Sequence, residues 1–159
     1  MSAESAVKVN RQQFLKMQLP DSTSVMIQSH QLMEVLNIEI QSITSIPDID
    51  SSLLGVYNWR GEVLWLLDAG AYLDSEPLYQ NSLGLGKVTV VIIHHQDRNL
   101  GLCVKQVNDM VSCSMEGIQN LPNTDLSPRL QACVDGYWLD TTQTVNWILS
   151  SQKIIESLS

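Results

Sequence analysis

The 159-residue chain carries an internal repeat, and this feature constrains its fold more than any other. Two segments align at an offset of 75 positions, which pairs Val25 with Leu100, Ile27 with Leu102, Gln31 with Gln106, Leu32 with Val107 and Glu34 with Asp109. Further along, the offset grows to 81 or 82, which pairs Gly55 with Gly136 and Trp65 with Trp147. Each unit has about 70 residues, near the lower size limit for an independent hydrophobic core. The repeat therefore predicts two similar units that pack against each other.

Apolar residues occur in short runs of Val, Ile, Leu and Trp separated by Gly, Pro, Asp and Asn, and they seldom follow helical spacing. This pattern indicates a mainly β protein. The candidate strands span residues 14–19, 24–29, 40–46, 55–59, 62–67, 88–94, 100–104, 109–112, 132–139 and 144–149. Short helices are predicted at 69–73 and 151–158, a helical turn near 30–35, and a linker containing Pro, Gly and Asn at 76–86.

Composition excludes several classes of function. Nine Lys and Arg against 17 Asp and Glu give a formal net charge of −8, which disfavours nucleic acid as a partner. The three cysteines, Cys103, Cys113 and Cys133, lack Cys-x-x-Cys spacing and are expected to be reduced, buried thiols. Residues 1–13 contain no apolar signal segment, and the longest aliphatic run, 90–93, is too short to cross a bilayer. We therefore expect a cytoplasmic protein with no direct membrane insertion.

The sequence shows little sign of a phosphate, metal or nucleophile site. Residues 84–87 (Gly-Leu-Gly-Lys) resemble the end of a phosphate-binding loop, but Asn81 and Val88 stand where that motif requires Gly and Ser or Thr. Since His94 and His95 are adjacent on a predicted strand, their side chains point to opposite faces and cannot ligate one ion. A Gly-x-Ser-x-Gly elbow and a papain-type cysteine sequence are absent.

Asp48 and Asp50 lie in a proline-containing turn without the alternating acidic pattern of a calcium loop, so a solvated turn is favoured. We therefore expect no enzyme activity, no metal and no cofactor. A catalytic triad assembled in space stays open at this point, so the alternative function is a small β-barrel ligand-binding protein or an unrecognised hydrolase. An oligonucleotide-binding barrel would need a basic groove with stacking aromatics, which the net charge disfavours.

The segment 55–68, GVYNWRGEVLWLLD, carries the strongest functional signal. It predicts a strand, a tight turn and an apolar return strand, with Asn58 and Gly61 suited to positive φ. The turn would present Arg60 and Trp59 to solvent, and such residues on a rigid turn are frequent anchors of protein interfaces. The alternative is a plain hairpin whose arginine pairs with a nearby carboxylate.

This segment resembles the CheW-like family, the adaptor proteins that couple chemoreceptors to a histidine kinase in bacterial chemosensory arrays. The family run Gly-Val-x-Asn-x-Arg-Gly-x-Val-x-x-x-x-Asp is matched by Gly55, Val56, Asn58, Arg60, Gly61, Val63 and Asp68. The resemblance extends to residues 31–35 and 100–110 and covers residues 12–158.

Three residues depart from the family pattern. The family usually has an aliphatic residue at Trp59, often Pro near Trp65, and Leu at Ala69. These departures bear on the identity of the partners more than on the fold. The two added tryptophans suggest either a stickier contact surface or a core repacked for larger side chains. We expect the repacked core for Trp65, because it lies on an apolar strand. Divergent adaptors of this kind occur in systems that steer type IV pili, including phototaxis.

The resemblance implies a mainly β fold of two five-stranded SH3-like barrels in tandem, with short helices after residue 68 and at the C-terminus. It implies a flexible segment at 1–12 and a single domain at 13–158, with units at 20–85 and 86–148 and strand exchange at both ends. The implied function is a non-catalytic adaptor in taxis or motility. Its implied partners are the regulatory domain of a CheA-type histidine kinase and the cytoplasmic tip of a methyl-accepting chemoreceptor.

The resemblance also implies which residues bind the receptor or the kinase. They are Leu32, Glu34, Gly55, Asn58, Arg60, Gly61, Gly101, Val107 and Met110. Physically, an apolar groove accepts an amphipathic helical hairpin, and an arginine adds a directional polar contact.

Overall fold

The computed structural model describes residues 10–78, 86–121 and 126–158, whose strands form two five-stranded sheets. The strands are β1 (Arg11–Gln18), β2 (Ser24–Gln28), β3 (Leu32–Glu39), β4 (Leu53–Trp59), β5 (Glu62–Asp68), β6 (Lys87–His95), β7 (Arg98–Val104), β8 (Gln106–Ser114), β9 (Val134–Leu139) and β10 (Val145–Leu149). The α-helices in these ranges are α1 (Ala69–Tyr72), α2 (Pro128–Cys133) and α3 (Ser151–Ser157). Sheet A has the order β8-β1-β2-β10-β9 and sheet B the order β3-β6-β7-β5-β4. The expected mainly β fold of two five-stranded units is confirmed.

The internal repeat is visible in the strand pairing. Each sheet contains one parallel pair: Ile148 pairs with Met26 in sheet A, and Leu66 pairs with Gly101 in sheet B. These residues are related by the offsets of 75 and 82 found in the sequence. The isolated bridges Thr44–Val56 and Gln119–Tyr137 obey the offsets of 75 and 81 in the same way. The two units therefore share one topology.

The units exchange strands. β3 follows β2 of sheet A in the chain but joins sheet B, and β8 follows β7 of sheet B but joins sheet A. As a result, the expected units 20–85 and 86–148 do not coincide with the two sheets. At the N-terminus, Arg11 and Gln12 belong to β1, so the expected flexible segment 1–12 is wrong for these two residues. Residues 1–9 lie outside the described residues.

The core has three layers. The largest, which we call the interface cluster, contains residues of both sheets and of all three helices. Smaller clusters fill the inside of each sheet: one holds Ile38, Trp59 and Leu64 of sheet B, and the other Phe14 and Met26 of sheet A. Alternating residues of one strand reach two layers because successive side chains point to opposite faces. This is why the middle positions of β2 and β6 are apolar in succession.

β6 shows the alternation clearly. Val90 and Ile92 lie in the sheet B cluster, whereas Val91 and Ile93 lie in the interface cluster. Each of the four side chains is completely buried. Burial on both faces explains why the sequence of this strand reads as a continuous apolar run.

Three predicted elements differ from the structure. The strand expected at 40–46 is a 3-10 helix at Ile40–Ser42 followed by a single bridge at Thr44. The helical turn expected near 30–35 is a 3-10 helix at Ser29–Gln31, after which β3 begins. Residues Ala132 and Cys133 of the strand expected at 132–139 belong to α2.

α2 was not predicted, although its start carries a sequence signal. Pro128 occupies the first helical turn, and the Ser127 hydroxyl accepts a hydrogen bond from the Leu130 amide at 3.2 Å. Proline in this place and serine at the N-cap are common because they suit the unpaired amides of the first turn. Of the linker expected at 76–86, residues 79–85 lie outside the described residues. None of the helices in the described ranges is long and apolar enough to span a membrane.

Candidate functional site

The β4–β5 hairpin ends in a two-residue turn formed by Arg60 and Gly61. Trp59 and Glu62 are its last paired residues, and φ is +53° at Arg60 and +80° at Gly61. Two consecutive positive φ values define a type I′ turn, which matches the twist of the flanking strands. Asn58 stabilises the turn through its side chain, whose Oδ1 accepts a hydrogen bond from the Gly61 amide at 3.1 Å. The predicted positive φ at Asn58 is therefore wrong, since Arg60 adopts it instead.

Glu34 connects this hairpin to β3 on the opposite edge of sheet B. Its Oε1 accepts hydrogen bonds from the Trp59 indole Nε1 at 3.0 Å and from an Arg60 guanidinium nitrogen at 2.9 Å. The Arg60 guanidinium also lies 5.0 Å from the centre of the Trp59 ring. β3 and β4 are the two edge strands of the sheet, so these contacts join its edges. We call Glu34, Trp59 and Arg60 the seam cluster.

The seam cluster answers the two alternatives posed for the hairpin. Arg60 pairs with a carboxylate, as the plain-hairpin alternative requires, yet its side chain is 67% exposed. It is therefore held in place and still accessible to a partner. Trp59, expected at the surface, is buried, while Trp65, expected in the core, is 38% exposed. Both tryptophan predictions are wrong, because Trp59 is on the inner face of sheet B and Trp65 on the outer face.

Gly55 and Gly101 are buried and have packing roles in the structure. A Cβ on Gly55 would lie 2.2 Å from the Thr44 carbonyl oxygen, and its φ of +143° is unfavourable for other residues. A Cβ on Gly101 would lie 2.6 Å from Leu66 and 2.8 Å from Val90 in the sheet B cluster. These two glycines bring backbone and core elements close together and present no side chain to a partner.

The edge strands β3 and β8 carry exposed apolar side chains at related positions. Val35 pairs with Val91, and Met110 pairs with Leu15. Paired residues of antiparallel strands share a face, and both Val91 and Leu15 belong to the interface cluster. Val35 and Met110, which are 42% and 48% exposed, therefore extend the apolar layer between the sheets to the protein surface.

Leu32 and Val107 lie on the same two strands and pack against the interface cluster. Leu32 corresponds to Val107 and Val35 to Met110 at the offset of 75, so the two units contribute equivalent pairs. Met33, 48% exposed, adjoins them on β3. We call these five residues the strand-edge surface.

Met33 and Val35 were missed by the sequence analysis. The sequence pattern predicts a helical turn over this segment, and that prediction does not reveal that both residues lie on the edge strand β3. A signal was nevertheless present: Val35 aligns with Met110, which the family resemblance had selected. Of the predicted site residues, Glu34, Asn58, Arg60 and Gly61 thus lie at the hairpin seam, and Leu32, Val107 and Met110 on the strand-edge surface.

The cysteine thiols are poor nucleophiles. Cys103, Cys113 and Cys133 are all free and buried. Burial raises the pKa of each thiol, and in Cys103 the nearby Asp68 carboxylate adds to the effect. The thiolate is the reactive form, so a raised pKa and burial both lower the nucleophilicity expected of these thiols.

Asp68 and Asp50 each accept hydrogen bonds that stabilise local structure. Burial raises the pKa of Asp68, whose oxygens accept hydrogen bonds from the amides of Ala71 and Leu78 at 3.1 and 2.8 Å. The hydrogen bond from the Ser52 hydroxyl is the main cause that lowers the pKa of Asp50. Across residues 10–78, 86–121 and 126–158, no three His, Cys, Asp or Glu side chains converge to hold a metal ion.

Both the sequence and the fold of this chain are similar to those of known proteins. A family described as the CheW-like domain matches residues 13–159. The crystal structure of the scaffolding protein TtCheW from Thermoanaerobacter tengcongensis is similar, with a TM-score of 0.73 and 18% sequence identity over 87% of this chain and 88% of that chain. At this identity the likeness shows a common fold of two SH3-like units. No curated protein sequence matches the chain. Because the family match spans nearly the whole sequence, the chain belongs to the CheW-like domain family.

Proposed function

We propose that this protein is a non-catalytic adaptor that couples a chemoreceptor to a CheA-type histidine kinase in a cytoplasmic chemosensory complex. The observation that carries the proposal is the family match over residues 13–159. The burial of all three thiols supports a role that does not use thiol chemistry. In this role the adaptor changes kinase output by fixing the geometry of the complex.

The strand-edge surface is our candidate for the receptor side. A receptor tip is a helical hairpin, and helices bind partners by laying an apolar face against apolar residues. Val35 and Met110 offer such residues on two strands, and they are continuous with the apolar layer between the sheets. Arg60 is 67% exposed and its guanidinium is held by Glu34, so it offers a polar contact of fixed direction close to β3.

The kinase side is proposed from the family alone. In such adaptors the barrel ends dock on the regulatory domain of the kinase, which is itself CheW-like. The seam cluster lies at one end of sheet B, where the β4–β5 turn meets β3. We therefore include Asn58, Arg60 and Gly61 among the candidate kinase contacts.

A reconstitution tests the proposal. The receptor fragment, the kinase and this protein would be mixed in increasing ratios, and kinase autophosphorylation would be measured together with binary binding by calorimetry. We expect binding to both partners and a change in phosphorylation that saturates with the adaptor. Absence of binding to either partner at high micromolar concentration would refute the proposal.

A matched pair of variants locates the receptor surface. Met110→Asp places a charge on the strand-edge surface, and Val63→Asp places the same charge on β5, where the valine is 70% exposed. Neither position is buried, so both variants should fold. We expect Met110→Asp to weaken receptor binding at least about tenfold, as for an interface anchor, and Val63→Asp to leave it unchanged. Equal effects of the two variants would show that the receptor binds elsewhere.

A further inference from the structure

A second apolar surface lies apart from the strand-edge surface and the seam cluster. It is a cleft of about 450 Å³ between sheet B, α3 and the segment before β4, lined by Ile49, Leu53, Trp65, Leu100, Ile155 and Leu158, with Arg98 and Asn99 at its polar side. We call it the Trp65 cleft. Leu53, Leu100, Ile155 and Leu158 belong to the interface cluster or pack against it. The cleft is thus an opening into the main core, with the 38% exposed Trp65 beside it.

The repeat provides an internal comparison for this cleft. The equivalent place in the other unit is a cleft of about 360 Å³ that Trp147 lines. Thr23 and Leu73 line this Trp147 cleft, and they correspond to Arg98 and Ile155 at the offsets of 75 and 82. The two clefts are therefore equivalent positions in the two units, but they differ in what covers them.

The Trp147 cleft is partly filled by the chain itself. Leu126, which directly precedes the N-cap Ser127, and Leu130, four residues later in the first turn of α2, form one of its walls. Leu130 is a member of the interface cluster, and both Leu126 and Trp147 pack against it.

Among the described residues, the Trp65 cleft has no helix equivalent to α2 beside it, and the sequence shows the reason. Between Gln119 and Gly136 the second unit is six residues longer than the first unit between Thr44 and Gly55. α2 is six residues long and lies within this longer segment. The first unit lacks the insertion, so it has no corresponding helix between Thr44 and Gly55, and no described residue covers the apolar cleft in its place.

The charges at the two clefts also differ. Arg129 of α2 places its guanidinium 4.2 Å from the centre of the Tyr72 ring. At the offset of 82, the counterpart of Tyr72 is Ile154, which offers no aromatic ring. Arg98 is the one ionisable side chain among the described residues that line the Trp65 cleft. An acidic residue, not an arginine, therefore suits a helix placed there.

We propose that the Trp65 cleft docks a short amphipathic helix of a partner protein, which supplies in trans what α2 supplies within the second unit. The partner segment has two aliphatic residues four positions apart, with an acidic residue between them near Arg98. Trp65 and Arg98 are of the residue types that most often anchor protein interfaces. This proposal does not depend on the receptor or the kinase, because its residues lie outside the surfaces assigned to them.

The probe is a synthetic peptide with the sequence of residues 126–133 carrying Arg129→Glu and Cys133→Ala. It would be titrated into the isotope-labelled full chain and followed by two-dimensional NMR. We expect saturable shifts of the Trp65 indole signal and of the Leu100 and Ile155 amides, at peptide concentrations up to about 1 mM. A peptide that also carries Leu130→Asp should produce none.

Variants of the protein separate the cleft from its surroundings. Trp65→Ala should weaken peptide binding at least about tenfold, whereas Val63→Ala, two residues away and outside the cleft lining, should not change it. Ile49→Ser provides a second variant at a half-buried loop position, should Trp65→Ala fail to fold.

Four results would overturn the proposal. The first is the absence of saturable shifts. The second is a set of shifts centred on Trp147, which would mean that the peptide replaces α2. The third is equal or tighter binding of the peptide that keeps Arg129, which contradicts the acidic preference. The fourth is self-association of the free protein that Trp65→Ala abolishes, since the occupant would then be a second copy of the chain.

Discussion

Glu34 is the residue whose replacement tests the seam cluster most sharply. Its Oε1 holds both the buried Trp59 indole and the exposed Arg60 guanidinium. Glu34→Ala removes both contacts at once and leaves the indole N–H without its partner. We expect the variant to fold but to be clearly less stable.

The magnitude follows from the two contacts. A buried donor without a partner costs about 1–3 kcal/mol, and an ion pair as exposed as this one contributes about 0–1 kcal/mol. Because the hydrogen bond to the indole is only partly buried, the free energy of unfolding should fall by about 1–3 kcal/mol in total. For a chain of this size that corresponds to a melting temperature lower by roughly 2–12 °C.

Two controls separate the contacts. Glu34→Gln keeps a side-chain oxygen for the Trp59 indole and loses only the ionic partner of Arg60, so it should cost about 1 kcal/mol or less. Arg60→Gly loses the ion pair and the contact with the Trp59 ring but relieves a φ of +53°. The loss and the relief are each about 1 kcal/mol, so this variant should be nearly neutral.

Urea denaturation followed by circular dichroism measures all three variants. The expected order of destabilisation is Glu34→Ala above Glu34→Gln, with Arg60→Gly close to wild type. If Arg60→Gly is as unstable as Glu34→Ala, the arginine is a structural residue and the reasoning is refuted. If the expected order holds, Arg60→Gly becomes a folded probe for binding experiments.

Three further predictions concern other parts of the chain. Gly55→Ala should lower the free energy of unfolding by about 3 kcal/mol or more, because its Cβ would meet the Thr44 carbonyl, and a loss below about 1 kcal/mol in urea denaturation would contradict this. The three buried thiols should not react with Ellman's reagent at pH 7 until urea is added, and a fast reaction in the folded protein would contradict the raised thiol pKa values. The lowered pKa of Asp50 stabilises the fold above its unfolded pKa of about 4, and this stability is lost as the pH falls through the folded pKa. Ser52→Ala should raise that pKa, as measured by carbon NMR, and reduce the loss in acid; an unchanged pKa would contradict the assigned cause.

The architecture was predictable because the repeat is written in the sequence. Gly55 and Gly136 occupy equivalent positions in the two units. At each of them a Cβ would lie within 2.3 Å of a backbone carbonyl oxygen, so only glycine fits in either unit. Parallel pairing of β5 and β10 with equivalent strands then follows the same offsets.

Strand exchange was only partly predictable. β3 follows β2 in the chain but pairs with β6 in the other sheet, and β8 follows β7 but pairs with β1. Both pairings join residues that are far apart in the sequence. Local propensity carries no information on which of two similar sheets an edge strand joins. The helix α2 was missed for another reason: the proline at residue 128 marks a turn and a helix start equally well.

The sequence predicts the turn of the candidate site but not the residues that contact the turn. The Asn-x-x-Gly pattern of the hairpin located Arg60 correctly. Its ion pair with Glu34 spans 26 positions of the chain, and a contact of this kind depends on how the sheet closes. Local pattern also cannot tell that Trp59 faces the core and Trp65 the solvent, because both lie among apolar neighbours on adjacent strands.

The measurement that tests the adaptor proposal most directly is an NMR footprint of the receptor tip on this protein. A receptor hairpin fragment from the same genome would be titrated into the labelled chain, with Arg60→Gly and Met110→Asp as variants. The account predicts saturating signal changes at Leu32, Val35, Val107 and Met110. It also predicts that Met110→Asp lowers the affinity for the receptor fragment at least about tenfold. A footprint confined to other residues would contradict the account. So would the absence of any footprint, provided that the same receptor fragment is shown to be competent to bind in a complex with the kinase.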